Sequence, residues 1–580
     1  MTEQKDKSWE KKTTMVSTET DRRYDMKKTA LSLILASLIL SGTACSSKKQ
    51  KVTPKTNTST TVTVPASKQE KKETTIETLK DDSTGPAKIV NLTQRAKNQN
   101  DISIKMNPES RSAQVEHKLT YENNTGDELK DIYFNLIPNA FAKKDGGIEM
   151  KSIKVNGQDV ELKKVKETVY SIALPAPLEK GKNVTIDMSY TIKIPMIADR
   201  FGYNGNTYNL GNALITPAMY EDGEWLVQPY VNIGDAFYTE IADYHVSITA
   251  PEGYQVAASG TKIDGVFQAE NMRDFACVIS SDLELLCEEH EDIALNVFYP
   301  KNCPSAGRHV MDVAKKSLTL FNETLGKYPY DTLNMVLIDM PANIGGMEYP
   351  GLIMMTVHED MEPVFDLYNG KISVQDFLKA QKEAEGSNGD IEKITDIESS
   401  AVTMTDEQIK GSFAYEVESI TKSTAHEIAH QWFYGIVGND EVRFPWIDEG
   451  FCRFMEGYYT NRYGEGDKYT FPLFELFDAT DESIYGEKSG NQGECHSVDL
   501  NKSLYDFKNN AEDYGEIYYK AASMIYHMYK KMGDEAFVEA LKDYINKFAY
   551  KEVTPEEFKE FWASKGDFKE HLELYIPSTK

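Results

Sequence analysis

Cysteine is scarce in this chain, which has six cysteines among 580 residues. None of them stands in a C-x-x-C pair, so the sequence gives no indication of a zinc site built from thiolates. If Cys45 has another role, the five that remain are an odd number, which does not suit a full disulfide framework. Disulfides are possible but not indicated, and Cys452, which follows an apolar segment, is expected to be a small core residue.

Positive charge is also in deficit. The chain has 64 Lys and Arg against 92 Asp and Glu, which gives a net charge of −28. A nucleic-acid-binding protein needs a basic face for phosphates, so we expect no nucleic-acid partner. The acidity is best explained by solubility. A content of 40% hydrophobic and 11% aromatic residues is enough for packed cores, and the length allows about two to four domains.

Apolar runs are short, and the run Leu31–Leu40 does not reach the length of a comfortable membrane span. Met26 and two lysines precede it and small residues follow, which predicts a secretory signal that starts at Met26. The small residues that end at Cys45 resemble a bacterial lipoprotein signal. That resemblance implies a lipidated Cys45 and a membrane-anchored, extracytoplasmic protein. Gly42 stands where Leu is usual, so a cleaved signal of a secreted protein, or an uncleaved anchor, remains open.

The rest of the chain divides by composition. Residues 46–88 are Ser, Thr, Lys and Pro with almost no large apolar residue, which predicts a flexible tether behind the leader of residues 1–45. Residues 89–304 consist of short alternating runs separated by turn residues, which predicts a β-rich domain with an antiparallel sandwich or saddle. From residue 305 to 580 the pattern is mainly helical, with apolar residues three and four apart.

The segment Thr424–Phe451 has the strongest chemical signal. His426 and His430 lie four residues apart, so on a helix they share one face and can bind one Zn²⁺, with Glu427 beside them to act on a bound water. A third ligand is needed, and Glu449 follows His430 after 18 residues, in the apolar frame WIDEGF. That spacing suits a helix, a turn and a second helix that returns to the same metal. The sequence therefore predicts one zinc ion per chain.

The order HEIAHQWF, 18 residues, and then the glutamate of WIDEGF resembles the gluzincin aminopeptidases of the M1 family. The resemblance implies a multi-domain α+β protein, in which an N-terminal antiparallel β-saddle or sandwich domain precedes a thermolysin-like, mainly helical catalytic domain with a small sheet. It also implies that Tyr518, in the segment YYKAA, hydrogen-bonds a developing oxyanion. Many relatives have a further helical-repeat domain, which we expect this chain to lack.

Upstream of the zinc segment, a short Gly-rich motif lies between two apolar strands. Adjacent glycines allow close backbone approach, and an edge strand can pair with an extended peptide while a carboxylate holds its amine. The motif resembles the family's G-x-M-E-N exopeptidase motif, in which the glutamate binds the substrate's free amino terminus. Tyr349 stands where Asn is usual, which puts strict aminopeptidase geometry in doubt. The predicted substrate-binding residues are Gly345, Gly346, Met347, Glu348 and Tyr349.

A second departure is the spacing of 77 residues between Glu348 and His426, longer than is usual in the family. The surplus near residues 366–416 is rich in charge, and we interpret it as a solvated acidic insertion in preference to a lid.

Together these features predict a zinc metallopeptidase that removes N-terminal residues from peptides with a free amino terminus. Two alternatives remain open. One is a zinc endopeptidase or dipeptide-releasing peptidase of the same fold. The other is a surface binding protein that retains the fold without turnover. The sequence does not indicate the oligomeric state.

Overall fold

The computed structural model describes residues 97–341, 344–358, 361–387, 405–464, 473–478, 480, 498–507 and 511–578. The predicted leader with Cys45, the predicted tether, and residues 388–404 of the predicted acidic insertion lie outside these ranges. The described residues divide into two compact units. Residues 374–387 and 405–409 belong to one, and the rest belong to the other.

The first part of the larger unit consists almost entirely of strands, because its sequence alternates apolar and polar residues with period two. The strands are β1 (Asn98–Asn107), β2 (Ser112–Glu122), β3 (Leu129–Asn135), β4 (Gly147–Val155), β5 (Gln158–Asp159), β6 (Lys163–Lys166), β7 (Val169–Leu178), β8 (Asn183–Lys193), β9 (Phe201–Asn204), β10 (Thr207–Leu210), β11 (Thr216–Pro217), β12 (Tyr220–Glu221), β13 (Glu224–Trp225), β14 (Ala242–Thr249), β15 (Gln255–Ala258), β16 (Thr261–Ile263), β17 (Val266–Met272) and β18 (Cys277–Ser280). A 3₁₀ helix spans Ile137–Lys144.

These strands form an eight-stranded sheet in the order β16-β17-β14-β1-β2-β8-β4-β5 and smaller sheets in the orders β15-β18-β10-β9, β11-β3-β7-β6 and β12-β13. Every second residue of β2 faces the core, among them Val115 and Leu119. The sheets are open and antiparallel as predicted, except that β1 and β14 are parallel. These two strands are far apart in sequence, so no hairpin forces them to run in opposite directions.

A five-stranded sheet comes next, in the order β19-β20-β21-β23-β22. Its strands are β19 (Leu283–His290), β20 (Ile293–Pro300), β21 (Thr332–Ile338), β22 (Gly346–Met347) and β23 (Leu352–Thr356). All seven residues of β21 are buried, as expected of a central strand with parallel neighbours on both sides. The sheet therefore joins strands from both sides of the predicted domain boundary at residue 304.

Helices dominate the rest of the chain, as predicted. They are α1 (Pro304–Leu325), α2 (Glu362–Tyr368), α3 (Val374–Ser387), α4 (Asp406–Ala429), α5 (Trp446–Tyr463), α6 (Leu504–Phe507), α7 (Ala511–Met532), α8 (Asp534–Phe548), α9 (Pro555–Lys565) and α10 (Lys569–Tyr575). α9 begins with a capping box, because the Thr554 hydroxyl accepts from the Glu557 backbone N–H and the Glu557 carboxylate accepts in return from the Thr554 backbone N–H.

Helices α5 and α7 approach each other closely at Gly450. A Cβ there would lie 2.6 Å from the Cβ of Ala521, so only glycine fits without a shift. Phe451 follows and packs on Phe433 with the ring centroids 4.3 Å apart. The close approach brings the first turn of α5 next to the middle of α7. Of the helices that the structure describes, none has the length and apolar character needed to cross a membrane.

Candidate metal centre and adjoining edge strand

Two histidines and a glutamate converge between α4 and α5. His426 lies in the last turn of α4, and His430 directly follows that helix. Their Nε2 atoms are 3.1 Å apart. The chain then turns, and Glu449 in the first turn of α5 brings its Oε2 to 3.1 Å from Nε2 of His426 and 3.4 Å from Nε2 of His430. The three predicted ligands therefore point at one small volume.

This donor set fits a zinc ion. The ligand atoms of His426, His430 and Glu449 all lie within 4.8 Å of one another, and a His₂Glu set with one open position is typical of catalytic zinc. Burial alone would raise the pKa of Glu449, but hydrogen bonds from the two histidines lower it to about 2. The glutamate is therefore an anion over the whole physiological range, as a zinc ligand must be.

Each histidine is oriented through its other ring nitrogen. Nδ1 of His430 lies 3.0 Å from the carbonyl oxygen of Phe433, to which it can donate. Nδ1 of His426 faces the Glu456 carboxylate at 3.6 Å, and Arg453 holds that carboxylate in an ion pair. Such partners fix the tautomer and direction of a metal-ligating histidine. The sequence prediction missed Glu456, although its position two turns after Glu449 on one helix was a usable signal.

Glu427 lies beside the cluster on α4. Burial raises its pKa to about 7, with opposing effects from the neighbouring histidines and a further increase from Glu449. Among the described residues, its Oε2 has no hydrogen-bond partner although it is buried. Gly346 is in direct contact, since a Cβ on that glycine would lie 2.5 Å from the Glu427 carboxylate. A buried carboxylate with a pKa near neutrality is suited to accept and return a proton.

Strand β22, which contains Gly346 and Met347, forms one edge of the five-stranded sheet and pairs with β23. Glu348 follows it and is buried, with one carboxylate oxygen lacking a hydrogen-bond partner among the described residues. Burial and then the charge of Asp235 raise the pKa of Glu348 well above its usual value. An edge strand beside a buried acid offers backbone pairing to a peptide and a partner to its ammonium group.

The other motif residues differ in exposure. Gly345 is exposed, and its carbonyl accepts from the backbone N–H of Thr356 at 3.0 Å. The sulfur of Met347 lies 3.0 Å from Nη1 of Arg200. Tyr349 is fully buried, and its hydroxyl donates to the side-chain oxygen of Asn212 at 2.7 Å. The side chain of Tyr349 therefore points into the protein, towards the β-rich part.

The side-chain amide of Gln431 connects this motif to the metal cluster. Its oxygen accepts from the Gly351 backbone N–H at 2.9 Å, and its nitrogen donates to the carbonyl oxygens of Glu348 and Tyr349 at 3.3 and 3.4 Å. Gln431 directly follows the ligand His430, so the edge strand and the zinc helix are tied by one side chain.

Asp235 and Arg200 are further charged residues that the sequence prediction missed. Nη1 of Arg200 donates to Oδ1 of Asp235 at 2.6 Å, and both side chains come from the β-rich part. Burial raises the pKa of Asp235, while Arg200 lowers it and Glu449 raises it. They lie in loops between short strands, and no motif spacing marks them.

Tyr518 comes from α7. Its hydroxyl donates to Oε1 of Glu449, and its ring stacks on His426 with centroids 6.1 Å apart. Burial raises the pKa of this phenol well above its usual value, so it carries its proton. The neighbouring Tyr519 instead bonds to Arg453. Of these two tyrosines, only Tyr518 contacts the metal cluster.

Comparisons with known proteins agree on one family. A family profile described as the peptidase family M1 domain matches residues 395–573. An alanine/arginine aminopeptidase of Saccharomyces cerevisiae is 22% identical over 278 residues, which cover 47% of this chain and 26% of that protein. Aminopeptidase M1-D of Oryza sativa subsp. japonica is 26% identical over 260 residues, which cover 44% and 23%.

The fold has counterparts among solved structures. The M1 zinc metallopeptidase of Deinococcus radiodurans superposes with a TM-score of 0.50 and 15% identity, covering 84% of this chain and 96% of that one. A mutant of the same metallopeptidase bound to a Tyr-Ser-Ala substrate gives 0.51 and 16%, covering 83% and 94%. At this identity the likeness concerns the fold. The chain spans about a quarter of the length of the curated relatives it matches.

Proposed function

We propose that this chain, which belongs to peptidase family M1, is a zinc-dependent aminopeptidase that removes residues from the free amino terminus of peptides. The observation that carries the proposal is the juxtaposition of three parts. A His₂Glu metal cluster, a buried carboxylate at Glu427 and the edge strand that ends in Glu348 lie side by side.

The chain's own residues account for each proton and charge. A zinc ion held by His426, His430 and Glu449 would polarise the scissile carbonyl and activate a water. Glu427 takes the proton of the attacking water and passes it to the leaving amine, for which a pKa near 7 is suitable. Tyr518 keeps its proton and donates a hydrogen bond to the developing oxyanion.

Glu348 sets the position of the cut. When it is ionised, its buried carboxylate binds the substrate's ammonium group, and Asp235 adds negative charge nearby. A peptide anchored in this way along β22 presents its first peptide bond to the metal cluster. The substrate class is therefore peptides with an unblocked amino terminus.

We also propose that the protein is anchored outside the cytoplasm to a bacterial membrane by a lipid on Cys45. The support is the sequence of the leader, with its basic start, short apolar run and small residues before that cysteine. Cys45→Ser should move the protein from the membrane fraction to the soluble fraction. Unchanged membrane association would contradict lipid anchoring.

The test of the enzymatic proposal uses a soluble form that starts after Cys45, loaded with zinc. One peptide is offered with a free and with an acetylated amino terminus, and cleavage is followed by mass spectrometry. We expect cleavage of the free form, one residue from its amino terminus. Glu427→Gln should abolish it, with a loss on the order of 10² to 10⁴ in kcat.

Other outcomes identify the alternatives. Equal cleavage of both forms would replace amine anchoring with endopeptidase activity, and release of two residues at a time would indicate a dipeptidyl peptidase. If a varied peptide set is bound but not cleaved, the protein is a binding protein that retains the fold.

A further inference from the structure

Two neighbouring residues of the β-rich part, Arg273 and Asp274, are connected by hydrogen bonds to two parts of the proposed active site. These parts are the segment that contains His430 and the segment that contains Glu348. The two residues lie between β17 and β18, and their exposed fractions are 2% and 4%. The backbone carbonyl of Arg273 accepts from the Thr239 hydroxyl at 2.6 Å, which fixes the segment to the loop that precedes β14. From this backbone segment the two side chains contact different parts of the protein.

The guanidinium of Arg273 binds the turn between α4 and α5 and also the loop between α8 and α9. Its Nε donates to the carbonyl of Tyr434 at 2.6 Å, Nη1 to the Glu552 carboxylate at 2.7 Å and Nη2 to the carbonyl of Lys551 at 3.2 Å. A Cβ at Gly438 would lie 2.2 Å from the guanidinium carbon, so the turn closes tightly around the arginine. Only the planar guanidinium group of an arginine can donate hydrogen bonds to three acceptors in this way.

That turn is strained where Arg273 holds it. Tyr434 has a φ of 113°, a region that bulky residues rarely adopt. The preceding carbonyl, of Phe433, is the one that orients Nδ1 of His430. The bond from Arg273 to Tyr434 therefore stabilises the backbone that aims a zinc ligand.

Asp274 is connected by hydrogen bonds to the segment that contains Glu348. Its Oδ2 accepts from the side-chain nitrogen of Asn212 at 2.7 Å, and Oδ1 accepts from the backbone N–H of Phe275 at 2.7 Å. Asn212 in turn accepts from the Tyr349 hydroxyl at 2.7 Å. Gly211 leaves room for that phenol, because a Cβ on it would lie 2.1 Å from the Tyr349 oxygen. Tyr349 directly follows Glu348, so this relay ends at the predicted amine anchor.

We infer that Arg273 and Asp274 form a positioning clamp, which sets the distance between the zinc cluster and the amine-binding glutamate. Arg273 fixes the His430 end, and Asp274 fixes the Glu348 end through Asn212 and Tyr349. The role at the amine end rests on the proposed function, whereas the role at the zinc end does not. Tyr349, the residue that departs from the family's motif, is in this arrangement one of the motif residues that the β-rich part contacts.

The spacing matters because the anchored ammonium determines which peptide bond reaches the metal. A misplacement of about 1 Å can cost on the order of a hundredfold in rate. Buried hydrogen bonds from one segment to both the His430 side and the Glu348 side reduce misplacement of the peptide bond. Gln431 ties the two ends directly, and the clamp adds a second connection through the β-rich part.

The clamp is tested with three single variants of the soluble, zinc-loaded protein. Tyr349→Phe removes the hydroxyl at the amine end, and Arg273→Lys removes the guanidinium group at the zinc end. Tyr190→Phe is the matched control, since Tyr190 is a buried tyrosine whose hydroxyl lies 3.3 Å from Nδ1 of His117 in the eight-stranded sheet. Each variant is measured for zinc retention against a competing chelator, for KM and kcat on the free-amine peptide, and for its melting temperature.

The two ends should respond separately. We expect Tyr349→Phe to raise KM about fivefold to tenfold and to lower kcat as well, because the peptide bond is less well placed, with zinc retention changed less than twofold. We expect Arg273→Lys to weaken zinc retention severalfold, less than the roughly tenfold to hundredfold that the loss of a direct partner of a metal ligand costs. Tyr190→Phe should change neither. If Arg273→Lys does not fold, Glu552→Gln is used instead. It removes the charged acceptor of Arg273 and should also weaken zinc retention.

The clamp is overturned if Tyr349→Phe and Arg273→Lys lower the melting temperature but leave zinc retention and KM at wild-type values. In that case both residues are structural only. If the wild-type protein cleaves neither peptide, the proposed function fails, and the zinc-retention comparison, which needs no turnover, decides the clamp by itself.

Discussion

Gly346 leaves the space that the Glu427 carboxylate occupies. A Cβ at this position would lie 2.5 Å from that carboxylate, and the atom it meets is the movable end of a side chain. A substitution therefore displaces the carboxylate of Glu427, the proposed proton acceptor, and leaves the backbone in place. The glycine is needed for the chemistry of the site more than for the fold.

We predict that Gly346→Ala lowers kcat/KM by a factor on the order of 10² or more, because Glu427 can no longer reach the attacking water. The melting temperature should change little. Steady-state kinetics and thermal melts check this result, with Gly126→Ala as the control, since a Cβ at Gly126 meets nothing within 4 Å. Full activity of Gly346→Ala would show that Glu427 is not positioned by this contact.

Glu456 is a second residue whose role in zinc binding can be tested by substitution. Its carboxylate faces Nδ1 of His426 and is paired with Arg453. Glu456→Gln should weaken zinc binding about tenfold to a hundredfold, because the ligand histidine loses its anionic partner. Chelator competition measures the effect. A variant that binds zinc as tightly as wild type would assign Glu456 to packing only.

At the scale of elements, β2 carries a buried polar group in an apolar face. Nε2 of His117 lies 2.8 Å from the side-chain oxygen of Asn100. Burial lowers the pKa of His117 to about 3, so the imidazole is neutral in the folded protein. The unfolded chain binds a proton near pH 6.5, and stability from this group is present above that pH and lost as the pH falls towards 3.

His117→Gln should therefore flatten the acid side of the stability profile. At pH 5 the wild-type protein loses about 2 kcal/mol from this group relative to pH 8, and the variant should not show that share of the loss. Chemical denaturation at several pH values measures the difference. An equally steep profile in the variant would mean that other groups cause the acid sensitivity.

The β-rich and helical regions were predicted correctly because they depend on local pattern. Strands such as β2 and β8, helix α1 and the capped start of α9 need only periodicity and turn chemistry. The convergence of the zinc ligands also followed from spacing, because both histidines share a helix end.

Residues brought in by tertiary packing could not be predicted in the same way. Arg200, Asp235 and Arg273 lie in loops of the β-rich part, and they approach the site only because that part packs on the catalytic half. The parallel pairing of β1 with β14 is likewise a long-range event. A single sequence has no local signal for such contacts.

At the scale of the whole molecule, the zinc cluster joins separate elements. α4 and the residue that follows it supply two of the proposed ligands and α5 the third, while α7 supplies Tyr518. Without a cation, several buried acids and imidazoles face one another. A bound ion that prefers the folded state stabilises it in proportion to the logarithm of its concentration over Kd.

Removal of zinc should accordingly lower the melting temperature. At a zinc concentration about 1,000 times Kd the expected loss is about 4 kcal/mol. Thermal melts with and without a chelator measure it, and His430→Ala should be insensitive to the chelator. A melting temperature that does not respond in the wild-type protein would contradict a folded-state zinc site.

The five-stranded sheet has a consequence for dissecting the chain. β19 and β20 precede residue 304, yet β20 pairs with β21 beyond it. A fragment that begins at Ser305 would leave one edge of β21 unpaired, although all residues of this strand are buried in the whole protein, and such exposed edges invite aggregation. Expression trials of the catalytic half should therefore start upstream of Leu283, where the sheet keeps its outer hairpin.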